Sequence, residues 1–345
     1  MDQWAAAGCV ADWTGRFGSI DAATGHVTIE DDTQKKRWVG TPGMSSITAH
    51  LANNTPGVTV VSSRRVTGFE GGPGSDADAT ADGLWTVVHR PAGPGPKDQD
   101  GNPLAPTETR DVGFAAVVAA DKQAASDRSR RVYDEPPPIE SAAAPSVWDG
   151  MRAGGSTPSF VLMLTVTSAA GIPLFPFEGA LVTGDDKVAW IANDSSKPGR
   201  PTHGAVTGPQ CWVIQSTAEY AVERLAVKLT IPGTSPHQTM LDHVAEEMLG
   251  SVLELASKNK TLKGGVESPE SPEVIHSVAF RWGMAFPEDG AFEMAAANGG
   301  CLSEPARKVV GCGDFCVSPK VEGAALSGAA AAAQVLAMLP PISAL

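Results

Sequence analysis

GDFCVSPKVEGAALSG, residues 313–328, decides how the rest of the chain is read. The Gly-Asp pair marks a strand end, the spacer a loop, and Val321 onward a helix start. An alanine-rich run, AAAAAQVLAML at 329–339, continues the helix until Pro340 and Pro341 stop it. Asp314 is thus set beside a helix N-terminus, where the free N–H groups near Gly323 and Ala324 carry about half a positive charge. A carboxylate beside a positive helix end suits a polar ligand, and the remaining sequence has to say which.

Just upstream, KVVGCGDF (308–315) reads as a strand that returns the chain to a sheet begun far earlier. GVTVVSSRRVTGFE (57–70) and GLWTVVHRP (83–91) are Val- and Thr-rich strands bounded by turn residues. VGFAAVVAAD (112–121) is a near-continuous apolar run, expected of a strand buried on both faces. Residues 91–110 form a Pro/Gly/Asp insertion, read as an exposed loop. A second proline-rich break over 126–155, with YDEPPPIES, reads as a lobe boundary. Beyond it SFVLMLTV, KVAWIAND, QCWVIQST and VIHSVAFRWGMAF are strands, and TAEYAVERL and TMLDHVAEEMLGSVLELAS are helices. In the longer helix Leu241, Val244, Met248, Val252 and Leu255 recur at three- and four-residue steps and make one apolar face. The pattern is α/β (α+β) in two lobes, the first discontinuous in sequence, and no repeat of 20–50 residues is present.

Composition narrows the function classes. The 345 residues are 42% hydrophobic and 19% charged, as in a globular chain, with a net charge of −13. That acidity argues against nucleic acid, which requires a basic footprint, and weakly against an anionic membrane surface. The longest apolar region, FVLMLTVTSAAGIPLFPFEGALV, carries Pro173, Pro176 and Glu178, so strand and loop are expected rather than a membrane span. The odd count of 5 cysteines suits reduced, buried thiols. Cys312 and Cys316 form a CxxxC with no second CxxC or His pair beside it, so no metal site is expected.

GDFCVSPKVEGAALSG, AWIANDSSKPGRP, WVIQSTAEYA and RWGMAFP together resemble the renalase-like branch of the FAD-dependent amine-oxidase-fold flavoproteins, with the plant and algal members most similar. The resemblance runs from DWTGRFG (12–18) to the C-terminal helix and skips the insertions. It implies an incomplete Rossmann-like FAD-binding lobe at 1–135 and 290–345, and a mixed-sheet substrate lobe at 150–288. By the same resemblance Gly313 and Asp314 meet the ribityl chain. Val321, Glu322, Gly323 and Ala324 aim the helix end at the flavin ring, favouring its anionic reduced form. Val66 holds the adenine through its backbone. Asn193, Lys197 and Trp282 lie on the substrate side, Asn193 bonding a carboxamide and Lys197 or Arg200 meeting a phosphate or carboxylate, with Thr41 to Met44 along the cavity. As bare residues these are also compatible with a capped helix, a packed strand and a solvated loop.

The sequence departs from the resemblance twice. The GxGxxG turn that cradles a pyrophosphate is missing, so the expectation is a chain whose first βαβ unit lies upstream, or else one that dispenses with it. Where many relatives have His-Arg-Trp, this chain has Phe280, Arg281 and Trp282. His276 falls on the same strand face as Phe280 but about 13 Å along. The implied activity is an oxidoreductase passing a hydride from a reduced nicotinamide isomer or an amine to FAD and then to oxygen. The alternative is a non-catalytic remnant that binds no flavin. Compartment and oligomeric state stay open, a plastid being one implication of the plant-type resemblance.

Overall fold

The computed structural model describes residues 1–31, 35–74, 83–93, 107–167, 172–201, 208–227, 234–259, 272–288 and 290–340. The chain starts with α1 (Asp2–Ala6), β1 (Val10–Asp12), β2 (Phe17–Asp21), β3 (Val27–Ile29), β4 (Trp38–Gly40) and α2 (Ser45–Asn54). Then come β5 (Arg64–Gly71), β6 (Trp85–Pro91), β7 (Thr109–Phe114), β8 (Val117–Ala119), α3 (Arg128–Tyr133) and α4 (Pro145–Arg152). The middle carries β9 (Ser156–Thr167), β10 (Gly179–Thr183), β11 (Val188–Asn193), β12 (Gln210–Ser216), α5 (Ala218–Val227) and α6 (Ser235–Lys258). The last part holds β13 (Glu273–Pro287), α7 (Gly290–Ala296), β14 (Leu302–Glu304), β15 (Val309–Gly311) and α8 (Val321–Met338). The protein is a mixed α/β chain that divides into two compact units. One is Met1–Val60 with Pro158–Gly283, the other Val61–Thr157 with Met284–Leu345.

The first unit is built on the sheet β13-β9-β12-β11-β10-β2-β3, antiparallel from β9 to β10 and parallel where β10 meets β2. The stripe read from the sequence of α6 is buried: Leu241, Val244, Met248, Val252 and Leu255 join Phe160, Leu162, Leu164, Ile191 and Ile214 in one core. Each such side chain contributes roughly 1.5–3 kcal/mol of burial, which holds a helix of this length on the sheet. Phe175 and Phe177 stack at 5.1 Å, and the Phe175 ring meets Trp212 edge-on at 5.5 Å.

In the second unit β5-β6-β7 form an antiparallel meander, and β8 pairs parallel with β15, which in turn pairs with β14. The strand expected of KVVGCGDF therefore sits beside Val117–Ala119. Its core gathers Trp85, Ile139, Val147, Met151, Leu302 and Val309.

Four expectations are corrected. Residues 1–60 belong to the unit that contains most of 150–288, because Phe17–Asp21 pairs with Gly179–Thr183. The proline-rich break at 126–155 is folded rather than open, and the change of unit comes just after it, between Thr157 and Pro158. It folds as α3, a 3-10 turn at Pro138–Ala142 and α4, and it buries Ile139, Ala142, Val147 and Met151 completely or nearly so. VGFAAVVAAD is divided between two sheets, with Val112 72% exposed on β7 and only Val117 and Ala119 buried on β8. The strand expected at 57–70 starts only at Arg64, and Val58, Val60 and Val61 are exposed. Most of the 91–110 insertion lies outside the described residues. Among described helices, α8 is long and apolar enough to cross a membrane by length and composition alone, a feature the sequence reading did not single out.

Candidate functional site

Within the second unit, a cavity of about 450 Å³ opens beside β5, β8 and α3. Val66, Phe69, Val118, Tyr133 and Pro138 form its apolar wall, and Arg64, Arg65, Arg128 and Asp121 its charged one. A smaller cavity of about 130 Å³ shares Ala120, Asp121 and Gln123 with it and adds Lys122, Ser156, Phe315 and Asp314. Val66 and Asp314, 248 positions apart (314 − 66), thus line two adjoining cavities of one unit. The sequence reading named both but had no way to see what joins them.

Local structure explains each wall. Val66 lies at a bulge of β5, where the register with β6 slips between Val66 and Gly68, and β5 is the edge strand of its sheet. Ser141 closes part of that edge by accepting the Phe69 N–H at 2.7 Å. The Arg65 guanidinium lies 3.4 Å from the Tyr133 ring centre and pairs with Glu135 at 2.9 Å, which also holds Arg90 at 2.6 Å. Asp121 caps the turn at Lys122–Ala125 by accepting the Gln123 N–H at 2.9 Å. Lys122 Nζ donates to the carbonyls of Gly154 and Gly155 at 3.0 and 2.9 Å. Burial lowers the Lys122 pKa, and the carboxylates of Glu288 and Asp314 act against that fall.

Asp314 opens a short 3-10 turn, Asp314–Cys316, directly after β15 and Cys312. The Gly313 N–H donates to Ser327 Oγ at 3.0 Å, and Ser327, fully buried on α8, thereby ties the Gly-Asp turn to the helix. At the head of α8 the Ala324 N–H reaches the Lys320 carbonyl at 3.1 Å, while Glu322 supplies the acid that complements the helix end. Gly323 is buried against the turn before it, where a Cβ would overlap the Ser318 carbonyl oxygen. Val321 is 41% exposed. Cys312 and Cys316 are buried in separate core clusters, and burial pushes the Cys316 thiol up to about 12.

The residues assigned to the substrate side fall in the first unit. Asn193 ends β11, and its buried Oδ1 has no hydrogen-bond partner among the described residues; the same holds for Thr41 Oγ1. Lys197 and Arg200 both pair with Asp194, at 2.8 and 2.9 Å, and Lys197 Nζ lies 5.1 Å from the Trp13 ring centre. Arg200 also donates to the carbonyls of Gly40 and Pro42. These two cations hold the loop after β11 together. Trp282 and Phe280 stand on β13, each about half exposed, at 50% and 51%. Sequence reading missed Arg64, Arg128, Lys122 and Ser327; the only signal was their basic or hydroxyl chemistry, with no spacing to bring them together.

No protein-family model matches the chain. Among solved structures, a provisionally named protoporphyrinogen oxidase of Exiguobacterium sp. 255-15 is similar over 87% of this chain and 52% of its own, at 9% identity and a TM-score of 0.45. An oxidoreductase from Methanosarcina mazei is similar over 84% and 54%, at 12% identity and a TM-score of 0.45. A cofactor-binding redesign of putrescine oxidase is similar over 88% and 54%, also at 12% identity and 0.45. The chain spans about half the length of these structures.

Proposed function

We infer that the chain carries the adenine- and ribityl-binding parts of an FAD-dependent oxidoreductase of the renalase and amine-oxidase type. The observation that carries this reading is the pair of adjoining cavities from Val66 to Asp314. One end is apolar and cationic, the other polar and acidic, which fits a long ligand with a flat base, a charged middle and a hydroxylated arm. Val66 would face the base and Asp314 would accept from ribityl hydroxyls. Gly313, with Val321, Glu322, Gly323 and Ala324, would bring the end of α8 toward the ring. When bound, FAD would supply the two-electron oxidation of a reduced nicotinamide or an amine, with oxygen as the final acceptor. In the first unit, the buried Asn193 Oδ1, without a partner among the described residues, is an acceptor suited to an amine or carboxamide N–H of a small substrate. Lys197 and Arg200 are taken up by Asp194 and are not assigned to substrate.

Titrating FAD into the 345-residue chain while following flavin fluorescence tests the reading. Saturable quenching is expected. Asp314→Ala should weaken it about tenfold to somewhat over a hundredfold, the loss of one hydrogen bond to a charged group at roughly 1.5–3 kcal/mol. Quenching unchanged in Asp314→Ala would remove the ribityl assignment. No binding at all would favour the non-catalytic alternative.

A further inference from the structure

The chain carries a net charge of −13, so the cationic wall of the larger cavity needs a reason. Arg64, Arg65 and Arg128 line it against a single acid, Asp121. Arg65 shares the carboxylate of Glu135 with Arg90. Arg128 donates to the neutral Gln123 Oε1 at 3.2 Å, and no carboxylate pairs with Arg64 or Arg128 among the described residues. Among the described residues, two guanidiniums thus lie without a paired carboxylate beside the apolar wall formed by Val66, Phe69 and Tyr133. Guanidinium groups bind phosphate oxygens through paired N–H donors, and about 450 Å³ is within the range of small-molecule sites.

We propose that Arg64 and Arg128 hold the phosphates of an adenine nucleotide whose base lies against Val66. The proposal rests on the reading of this cavity as the adenine end of the FAD site. It makes the two guanidiniums a source of phosphate affinity. The binding should consequently weaken as salt screens the two partly exposed charges.

Calorimetric titration of the full chain with ADP, adenosine and inorganic pyrophosphate decides the matter. ADP is expected to bind at least tenfold tighter than adenosine at low salt, and tighter than pyrophosphate. The Arg64→Ala/Arg128→Ala double variant should lose at least tenfold for ADP while binding adenosine unchanged. Arg64→Lys/Arg128→Lys should recover part of the loss, and an unaltered unfolding midpoint shows that both variants are folded. Equal affinity for ADP and adenosine, a double variant within twofold of the parent, or pyrophosphate binding as tightly as ADP would each overturn the proposal. FAD titrations keep the two ideas apart. FAD bound equally by parent and double variant sustains the flavin reading and defeats this one. ADP bound through the arginines, with no flavin quenching, does the reverse.

Discussion

At the scale of single residues, Asp194 shows how a loop that reads as solvated is in fact fixed by charge. Its carboxylate receives Lys197 at 2.8 Å and Arg200 at 2.9 Å, with only about a quarter of the side chain exposed. Burial by itself raises its pKa, but the hydrogen bonds from Lys197 and Arg200 outweigh that and hold the carboxyl below its usual range. The folded value thus lies below the unfolded value of about 3.9. The pairing contributes fully above that value and is lost as pH falls through the folded one. Asp194→Asn should cost about 2–3 kcal/mol near neutrality, since it strands two partly buried cations. Urea unfolding at pH 7 and at pH 3 checks this: the gap between parent and variant should shrink in acid. A gap that is constant or grows toward pH 3 would refute the role given to Asp194. None of this was visible in AWIANDSSKPGRP, where Lys197 and Arg200 read equally well as ligand-binding cations, because their partner is chosen by the turn after β11.

At the scale of elements, α8 separates what a helix sequence shows from what its packing demands. Its glycines look alike in VEGAALSG. Gly323, however, lies against the Ser318 carbonyl, whereas a Cβ at Gly328 would meet nothing within 4 Å. Gly323→Ala should destabilise by about 1–3 kcal/mol through overpacking. Gly328→Ala should stabilise by up to about 1 kcal/mol through helix propensity. Denaturant midpoints of the two variants should move in opposite directions, and a Gly323→Ala protein as stable as the parent would show that the turn before α8 is not fixed by that glycine. Helices and strands with strong periodicity were legible. The stripe of α6 is buried as its spacing implied, since every residue of it meets the same sheet. Elements made by tertiary pairing were not. The left-handed residues Asp134 and Ala143, at φ 55° and 46°, end the turns that fold 126–155, and Ala143, unlike Asp134, has no local preference that announces it.

At the scale of the whole molecule, the sequence showed two lobes but not which stretches make them. The parallel pairing of Phe17–Asp21 with Gly179–Thr183 spans more than 150 residues, so no window of sequence contains it. For the candidate site, Val66, Gly313 and Asp314 were reached through the resemblance. The arginine wall became visible only once β5 and α3 were seen to line one cavity. The same logic applies to the proline-rich stretch at 126–155, which the sequence presents as a lobe boundary. Its prolines and acids suggest a segment too polar to repay ordering, yet Ile139, Ala142 and Val147 are fully buried and share a core with Trp85, Leu302 and Val309. Burying Ile139 and Val147 stabilises by roughly 1.5–3 kcal/mol each, enough to keep the segment closed except through opening of the unit's core. Limited digestion with thermolysin under native conditions, with cut sites read by mass spectrometry, should therefore give no early cleavage within 138–152. Val147→Asp should expose the segment, because an unpaired carboxylate cannot remain in that core. Early cleavage of the parent within 138–152 would show that the stretch is a linker after all, and that its apolar residues do not hold it to the core of its own unit.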